Sequence, residues 1–305
     1  MVGLTSSGVL PSKADYFRSL LQAPAIALPT VALFLVAIGV IALAWSMTLS
    51  GLWPLWVGTL ANGISMYMLF SVAHDGAHRA ISKYPIINET IGRIAIMMLL
   101  PIAPFEAVRW LHMQHHRYTN GASDPDAYAH HSRWYSMPLR FANVDIFYLY
   151  YFVRHGGNHL RRSLRPILVY SALFITLVTV LTYFGYGWQV LFLWFLASRL
   201  GLFLIVLVFS YLPHYPGTVS AQENVYRATT VRQGWEWLLT PLLVFQNYHL
   251  VHHLYPTAPF FNYLKIWHLK YAELVVHEPA VQRAFRLLPM GYTAAAVGTT
   301  PRGQV

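Results

Sequence analysis

The sequence predicts an all-α integral membrane fold: four transmembrane helices in two hairpins, with a cytosolic cap of helices holding a histidine-rich site for two metals. Three observations predict it. Residues 19–73 and 166–213 carry one charge between them, Arg199. The remaining Lys and Arg gather in the segments that flank these stretches. Eight of the 15 histidines fall in three clusters, each just past an apolar segment.

The first uncharged stretch far exceeds the roughly 20 residues one helix needs to cross a bilayer. It breaks at Ser50-Gly51-Leu52-Trp53-Pro54, a turn signal with an interfacial tryptophan, which gives spans over 26–48 and 53–73. The second breaks at Tyr183-Phe184-Gly185-Tyr186-Gly187-Trp188, giving spans over 166–184 and 189–211. A cleaved signal peptide has one short apolar core, whereas here a long hairpin comes first. Neither turn holds Lys or Arg, while residues 74–165 hold eleven, 214–305 seven and 1–25 two. Positive charge collects on the cytoplasmic side, so both termini and residues 74–165 are expected inside. This accounts for the net charge of +10 without nucleic acid as a partner, and no nucleic-acid-binding module is visible. The shorter apolar pieces 91–107, 141–153 and 238–245 fit helices lying at the interface. The chain divides into a cytosolic N-terminal segment (1–25), a membrane domain (26–275) and a tail (276–305) with little to bury after Leu288, expected to be partly disordered.

The clusters read HDGAH (His74, His78), HMQHH (His112, His115, His116) and HLVHH (His249, His252, His253). Spacings of three and four put side chains on one face of a helix, so each cluster can aim its imidazoles at one spot. A lone histidine is more often solvated or hydrogen-bonded than a ligand. Three clusters with helical spacing, all at one membrane face, point instead to metal. The chain has no cysteine, which excludes thiolate sites, disulfides and thiol nucleophiles. Eight imidazoles exceed what one zinc needs and argue for two metals. Imidazole suits iron, zinc, copper and nickel alike, so the ligand type leaves the metal open.

These boxes, with RWLHMQHHRYTN followed by DPD, then LPHYPGT and QNYHLVHHLYPTAPF, resemble the membrane fatty-acid desaturase and hydroxylase superfamily over roughly residues 30–275. The context is most similar to the bacterial β-carotene hydroxylase and acyl-lipid desaturase branches. The resemblance implies a di-iron centre that uses O2 to remove hydrogen from an unactivated C–H bond of a lipid. The setting would be a bacterial cytoplasmic membrane, with the metal site on its cytoplasmic side. It assigns the ligands to His74, His78, His112, His115, His116, His249, His252 and His253, with His214 of PHYP in the place of a ninth. Asp75, Asp124, Asp126 and Asn247 are the nearest groups able to orient these imidazoles through their far nitrogens, although Asp124-Pro125-Asp126 also reads as a self-capping turn. His130, His131, His155, His159, His268 and His277 lack box context and are not expected to be ligands.

Arg199 lies mid-span, where an arginine costs about 2.5–3.5 kcal/mol by insertion scales. It is expected to reach Glu106 or Asp145, or to bond carbonyls, and so to shape a substrate channel. Arg161, Arg162 and Arg165 hold anionic headgroups at the inner face or, on a sharper reading, dock an acidic electron carrier. The sequence contains no HPGG haem motif, no GxGxxG fingerprint and no cysteine for an iron–sulfur cluster. Electrons are therefore expected from a separate donor of ferredoxin or cytochrome b5 type. The expected function is an O2-dependent di-iron oxidoreductase that desaturates or hydroxylates a fatty acyl chain. The alternative is a β-carotene-type ring hydroxylase. Outside enzymes stands a metal transporter, which would place its ligands within the spans near the midplane, whereas the boxes lie beyond them.

Overall fold

The structure is a computed structural model and describes residues 12–130 and 134–290, the side chain of His130 excepted. Residues 1–11 of the expected N-terminal segment, His131 and residues 291–305 of the tail lie outside the described residues. The chain is mostly helical. A short α1 (Lys13–Leu21) leads to α2 (Leu28–Leu49), α3 (Leu55–Ala77), α4 (Pro85–Leu99) and α5 (Phe105–Tyr118). After α6 (Ala127–His130) come α7 (Met137–Ala142), α8 (Val144–His155), α9 (Gly157–Tyr183) and α10, continuous over Gly187–His214. The last part holds β1 (Thr230–Gln233), α11 (Glu236–Leu242), α12 (His249–Leu254), α13 (Tyr263–Leu274) and β2 (Ala280–Arg283).

Four of these helices, α2, α3, α9 and α10, are long and apolar enough to cross a membrane, and they fall on the four expected spans. Their ends differ from expectation in an informative way. α3 runs on to Ala77, so His74 sits in its last turn and the first box starts inside the helix. α9 begins at Gly157, nine residues before Pro166, because the Arg- and Leu-containing run ahead of the proline is itself a good helix former. Gly51, with φ +75°, makes the turn after α2.

Helices α3 and α10 run side by side in the same direction, which is why His74 and His214 finish at the same end. A Cβ on Gly63 would stand 2.7 Å from the Leu200 side chain, and one on Gly201 3.0 Å from Met66. Small residues at such crossings let the backbones approach closely. α10 is wound as a π-helix over Val190–Leu196 and again over Val206–Tyr211. A π turn leaves carbonyls without their ordinary helical partner, and in an apolar medium these must be satisfied. α3 supplies the donors to the first segment: Asn62 Nδ2 donates to the Leu193 carbonyl at 2.6 Å and Thr59 Oγ1 to that of Phe192 at 3.0 Å. The second segment turns Phe209 and Ser210 toward the histidines. α9 is the opposite case: its apolar window buries nothing.

The apolar core lies at the histidine end, where Tyr248, Tyr263, Ile266 and Trp267 are fully buried. The strand pair was not expected from sequence. β1 and β2 are parallel, with Thr230 opposite Ala280 and Gln233 opposite Arg283. Four-residue strands about fifty positions apart leave little local pattern to read. Buried Arg232 locks the pair by donating to Gln282 and to the carbonyls of Ala284 and Arg286. The packed chain therefore continues past residue 275.

Candidate metal centre

Five histidines from three elements meet in one group: His74 and His78 from the end of α3, His112 and His116 from α5, and His252 from α12. Four more form a second group: His115 from α5, His214 from the end of α10, and His249 and His253 from α12. All nine histidines singled out in the sequence are thus brought together. His112 and His116 share one face of α5, whereas His115 points to the other group. In α12 His252 serves the first group while His249 and His253, four apart, serve the second.

The facing atoms are the Nε2 nitrogens. In the first group His74 and His252 stand 3.0 Å apart, His78 and His112 2.8 Å, His112 and His116 3.1 Å, and His116 and His252 2.9 Å. In the second, His249 lies 3.0 Å from His214 and 3.1 Å from His253. An imidazole nitrogen carries one lone pair or one hydrogen, so the nitrogens with two such neighbours, those of His112, His116, His252 and His249, cannot form a full hydrogen bond to each. A cation at about 2.1 Å from each nitrogen resolves these contacts. Ligands at right angles around it would stand about 3.0 Å apart, and tetrahedral ones about 3.4 Å, both from that same bond length. The observed spacings match the right-angled arrangement. His115 Nε2 is buried with no hydrogen-bond partner, a cost that a ligand bond would remove. The donor set and its spacing therefore fit metal ions.

Electrostatics agree for most of the set. Burial first, and then the neighbouring imidazoles, hold His78, His112, His252 and His253 well below the usual histidine range, and His116 at about 3. Their lone pairs are free for a metal. His115 differs. Burial pulls it down, but the carboxylates of Asp124 and Asp126, with the hydrogen bond to Asp124, outweigh this and lift it to about 9.

The far nitrogens have specific partners. His115 Nδ1 lies 2.9 Å from Asp124 Oδ1, whose other oxygen accepts from the Asn120 amide at 2.7 Å. Asp126 stands 3.8 Å from the same His115 nitrogen and accepts from Tyr148 at 2.7 Å and from Ser210. Asp124 also accepts from the Asp126 amide at 2.9 Å, so it caps the turn and orients an imidazole at once. His249 Nδ1 meets Gln246 Oε1 at 2.6 Å, His252 Nδ1 meets the Tyr263 hydroxyl at 2.8 Å, and His253 Nδ1 lies 3.4 Å from Thr119 Oγ1.

Gln246, Tyr263 and Thr119 escaped the sequence reading. Gln246 stands three residues before His249, a helical spacing that could have singled it out. Tyr263 is eleven residues from its imidazole, with no local signal. The role expected of Asn247 falls to Gln246, for Asn247 donates to Thr240 at 3.0 Å. Asp75 accepts from Thr30 of α2 at 2.9 Å rather than touching an imidazole. Among the other described histidine side chains, His155 and His159 pack on Tyr151 and Trp110, His277 stacks on Tyr226, and His268 joins neither group.

A cavity of about 340 Å³ opens beside the two groups. It reaches His112, His115 and His249, and its walls are apolar, with Leu99, Leu111, Phe152, Leu202 and Phe209 among them. Polar groups enter at two places, Asp126 with Tyr148 and Ser210 near His115, and Asp145 on α8. Arg199 grips Asp145 with two hydrogen bonds of 2.8 Å, so of its two expected partners it takes Asp145, while Glu106 pairs with Arg93. Ile102, Ile146 and Leu149 line the cavity and are also exposed on the outer surface, which places an opening on the apolar flank of the bundle.

Four apolar helices with histidine groups able to hold metal at one end define an integral membrane protein with a metal cofactor. The chain belongs to the fatty acid desaturase family, whose family model, Fatty acid desaturase, matches residues 50–284. The sn-1 oleoyl-lipid 12-desaturase of Picosynechococcus sp. is 37% identical over 76 residues, 25% of this chain and 20% of that protein. The beta-carotene ketolase of Paracoccus sp. is 27% identical over 197 residues, 64% of this chain and 71% of that protein. The chloroplastic omega-6 fatty acid desaturase of Brassica napus is 25% identical over 240 residues, 68% of this chain and 50% of that protein. The chain thus spans a fifth of the first relative's length and half of the last one's.

Proposed function

We propose that the chain is an O2-dependent oxidoreductase acting on a C–H bond of a lipid hydrocarbon. The observation that carries this reading is the meeting of nine imidazoles, in two groups, at an apolar cavity that opens toward the bilayer side of the bundle. His74, His78, His112, His116 and His252 would hold one iron, and His115, His214, His249 and His253 the other. Bound iron would supply the activation of O2. The residues of the chain do the rest. Asp124, Gln246, Tyr263 and Thr119 fix the imidazole planes, and the apolar walls exclude water and hold the C–H bond beside the centre. Asp145 and Arg199 fasten α8, one wall of the cavity, to α10. Hydroxylation takes one C–H bond, O2, two electrons and two protons to an alcohol and water. Desaturation takes two C–H bonds, with the same inputs, to a double bond and two waters.

The substrate we favour is a fatty acyl chain. The second reading, oxygenation of a carotenoid ring, is supported by the length of the match to the beta-carotene ketolase. The proposed setting is a cytoplasmic membrane with the histidine end and both termini inside, and a domain over 26–275 that draws electrons from a ferredoxin or cytochrome b5 type donor. Expression in a host that makes both acyl lipids and β-carotene, followed by lipid and pigment extraction, tests the reading. New double bonds or hydroxyls on acyl chains support the first substrate, and oxygenated rings the second. Iron-loaded chain that leaves both pools unchanged under O2 would overturn the function.

A further inference from the structure

His155 and His159 belong to neither metal group, yet they share a place in the fold. They flank the break between α8 and α9, which only glycine permits: a Cβ on Gly156 would lie 2.4 Å from the Phe152 carbonyl, and Gly157 has φ +49°. Arg154 lies in the last turn of α8, and Arg161, Arg162 and Arg165 lie in the first turns of α9, on either side of this break. All four arginines are exposed, and the ion pairs among the described residues involve none of them.

An aromatic column starts at the same break. The His155 ring is 4.6 Å from that of Tyr151. Trp110 of α5 lies 6.0 Å from Tyr151 and 5.9 Å from His159. Tyr151 is buried and donates its hydroxyl to the Ser123 carbonyl at 2.7 Å. The next residue is Asp124, which holds His115. Contacts thus lead from the exposed His155 and His159, which lie between Arg154 and Arg161 in the chain, to the four-imidazole group.

We infer that the corner formed by Arg154, Arg161, Arg162 and Arg165 docks an acidic one-electron carrier protein, whose electron enters through Tyr151 and Trp110. The inference rests on the function proposed above. Each encounter oxidises one carrier by one electron, and two encounters supply the pair that one O2 consumes with two protons. Four exposed guanidinium groups steer a partner of opposite charge and make its association salt-dependent. Anionic headgroups would use the same charges but would need nothing underneath them. The column that runs from His155 and His159, between these arginines in the chain, to Asp124 and His115 is what favours a redox partner.

The test uses the full chain in nanodiscs of zwitterionic lipid, with reduced plant-type [2Fe–2S] ferredoxin and reduced soluble cytochrome b5 domain as probes. Changing all four arginines to glutamine is expected to weaken binding of at least one probe tenfold or more and to flatten its salt dependence. Tyr151→Phe and Trp110→Leu should leave that binding intact and slow reoxidation of the bound carrier tenfold or more. The inference is overturned if the four-arginine variant binds both carriers like the parent, including the case where it loses only binding to phosphatidylglycerol vesicles. Parent-rate reoxidation in both aromatic variants overturns the route. Product formed by dithionite-reduced chain in O2 separates the two levels. If the parent makes product this way while docking fails, only this inference falls; if it makes none, the function itself fails.

Discussion

The two histidine groups share the second and third boxes, while the first box serves only the five-imidazole group and His214 only the other, and they are held in different ways. The group of His74, His78, His112, His116 and His252 has five imidazoles and, among the described residues, one far-nitrogen hydrogen bond, between His252 and Tyr263. Packing between α3, α5 and α12 sets the rest. The group of His115, His214, His249 and His253 has one imidazole fewer, and three of its four are tied to Asp124, Gln246 and Thr119. A site rich in ligands tolerates loose orientation. A sparser one depends on hydrogen bonds that fix each ring, and it is also the one to which Asp126 and the Tyr151 column connect.

The largest effects should come from the ligands, and they should be unequal. His78→Ala leaves four imidazoles in its group, still a full complement for a metal site, whereas His253→Ala leaves three. Both variants should lose product formation to background. Metal analysis of the purified chains should show the deeper loss of iron in His253→Ala. Equal loss, or the reverse order, would break the contrast between the groups.

Next come the groups behind the ligands. Removing such a partner costs about 10–100-fold in metal affinity or activity. Asp124→Asn should lie at the upper end because it removes the charge beside His115 as well as weakening the bond. Gln246→Leu should fall below it. Tyr263→Phe, in the group held by packing, should be mildest. Competition with a calibrated chelator ranks the three, and a Tyr263→Phe chain that loses iron as readily as Asp124→Asn would show that both groups depend on orientation alike.

This contrast also marks what could be read from the sequence. The four long helices were legible because a bilayer demands runs of apolar residues that little else in a sequence imitates. The eight box histidines were legible because helical spacing of three and four repeats within each box, whereas His214 was reached only through the resemblance. The partition was not: His115 and His116 are neighbours yet serve different groups, since adjacent residues on α5 point about 100° apart. Nor were the partners of the imidazoles. Tyr263 meets His252 only through tertiary packing, and Asn247 lost its expected place to Gln246 by a single step of helical phase. The π turns of α10, the first met by Asn62 and Thr59 and the second carrying Ser210 to Asp126, have no marker of their own in the sequence.

Arg199 supplies a smaller effect at the cavity wall. Arg199→Leu leaves Asp145 without its bidentate partner, and the pair is partly exposed at 17% and 24%. A loss of about 1–3 kcal/mol follows for a mostly buried charged group left unsatisfied. Thermal unfolding in detergent should show it, and the double variant Arg199→Leu/Asp145→Leu should recover most of it. If the pair also shapes the cavity, the recovered double variant will still shift the position of oxidation along the substrate. Unchanged products would confine the pair to stability.

The gentlest way to tell the groups apart is pH. His78, His112, His116 and His252 are held neutral, so above pH 6.5 a metal entering their group displaces no proton. His115 is lifted to about 9, with Nδ1 donating to Asp124, so in the metal-free chain its second proton sits on the Nε2 that would face a metal. Metal entry into the four-imidazole group must then release that proton. Its apparent affinity should rise about tenfold per pH unit up to about pH 9, because one pKa unit is worth a factor of ten. Stability moves the opposite way. A group whose folded value lies above its unfolded 6.5 stabilises the metal-free fold fully below 6.5, and that contribution is lost as pH rises through about 9. Isothermal titration in buffers of different ionisation heat counts the released protons. About one proton per chain at pH 7.5, falling toward none above pH 9, is expected. Release that stays flat across this range would show that Asp124 and Asp126 do not hold His115 protonated, and the electrostatic difference between the two groups would vanish with it.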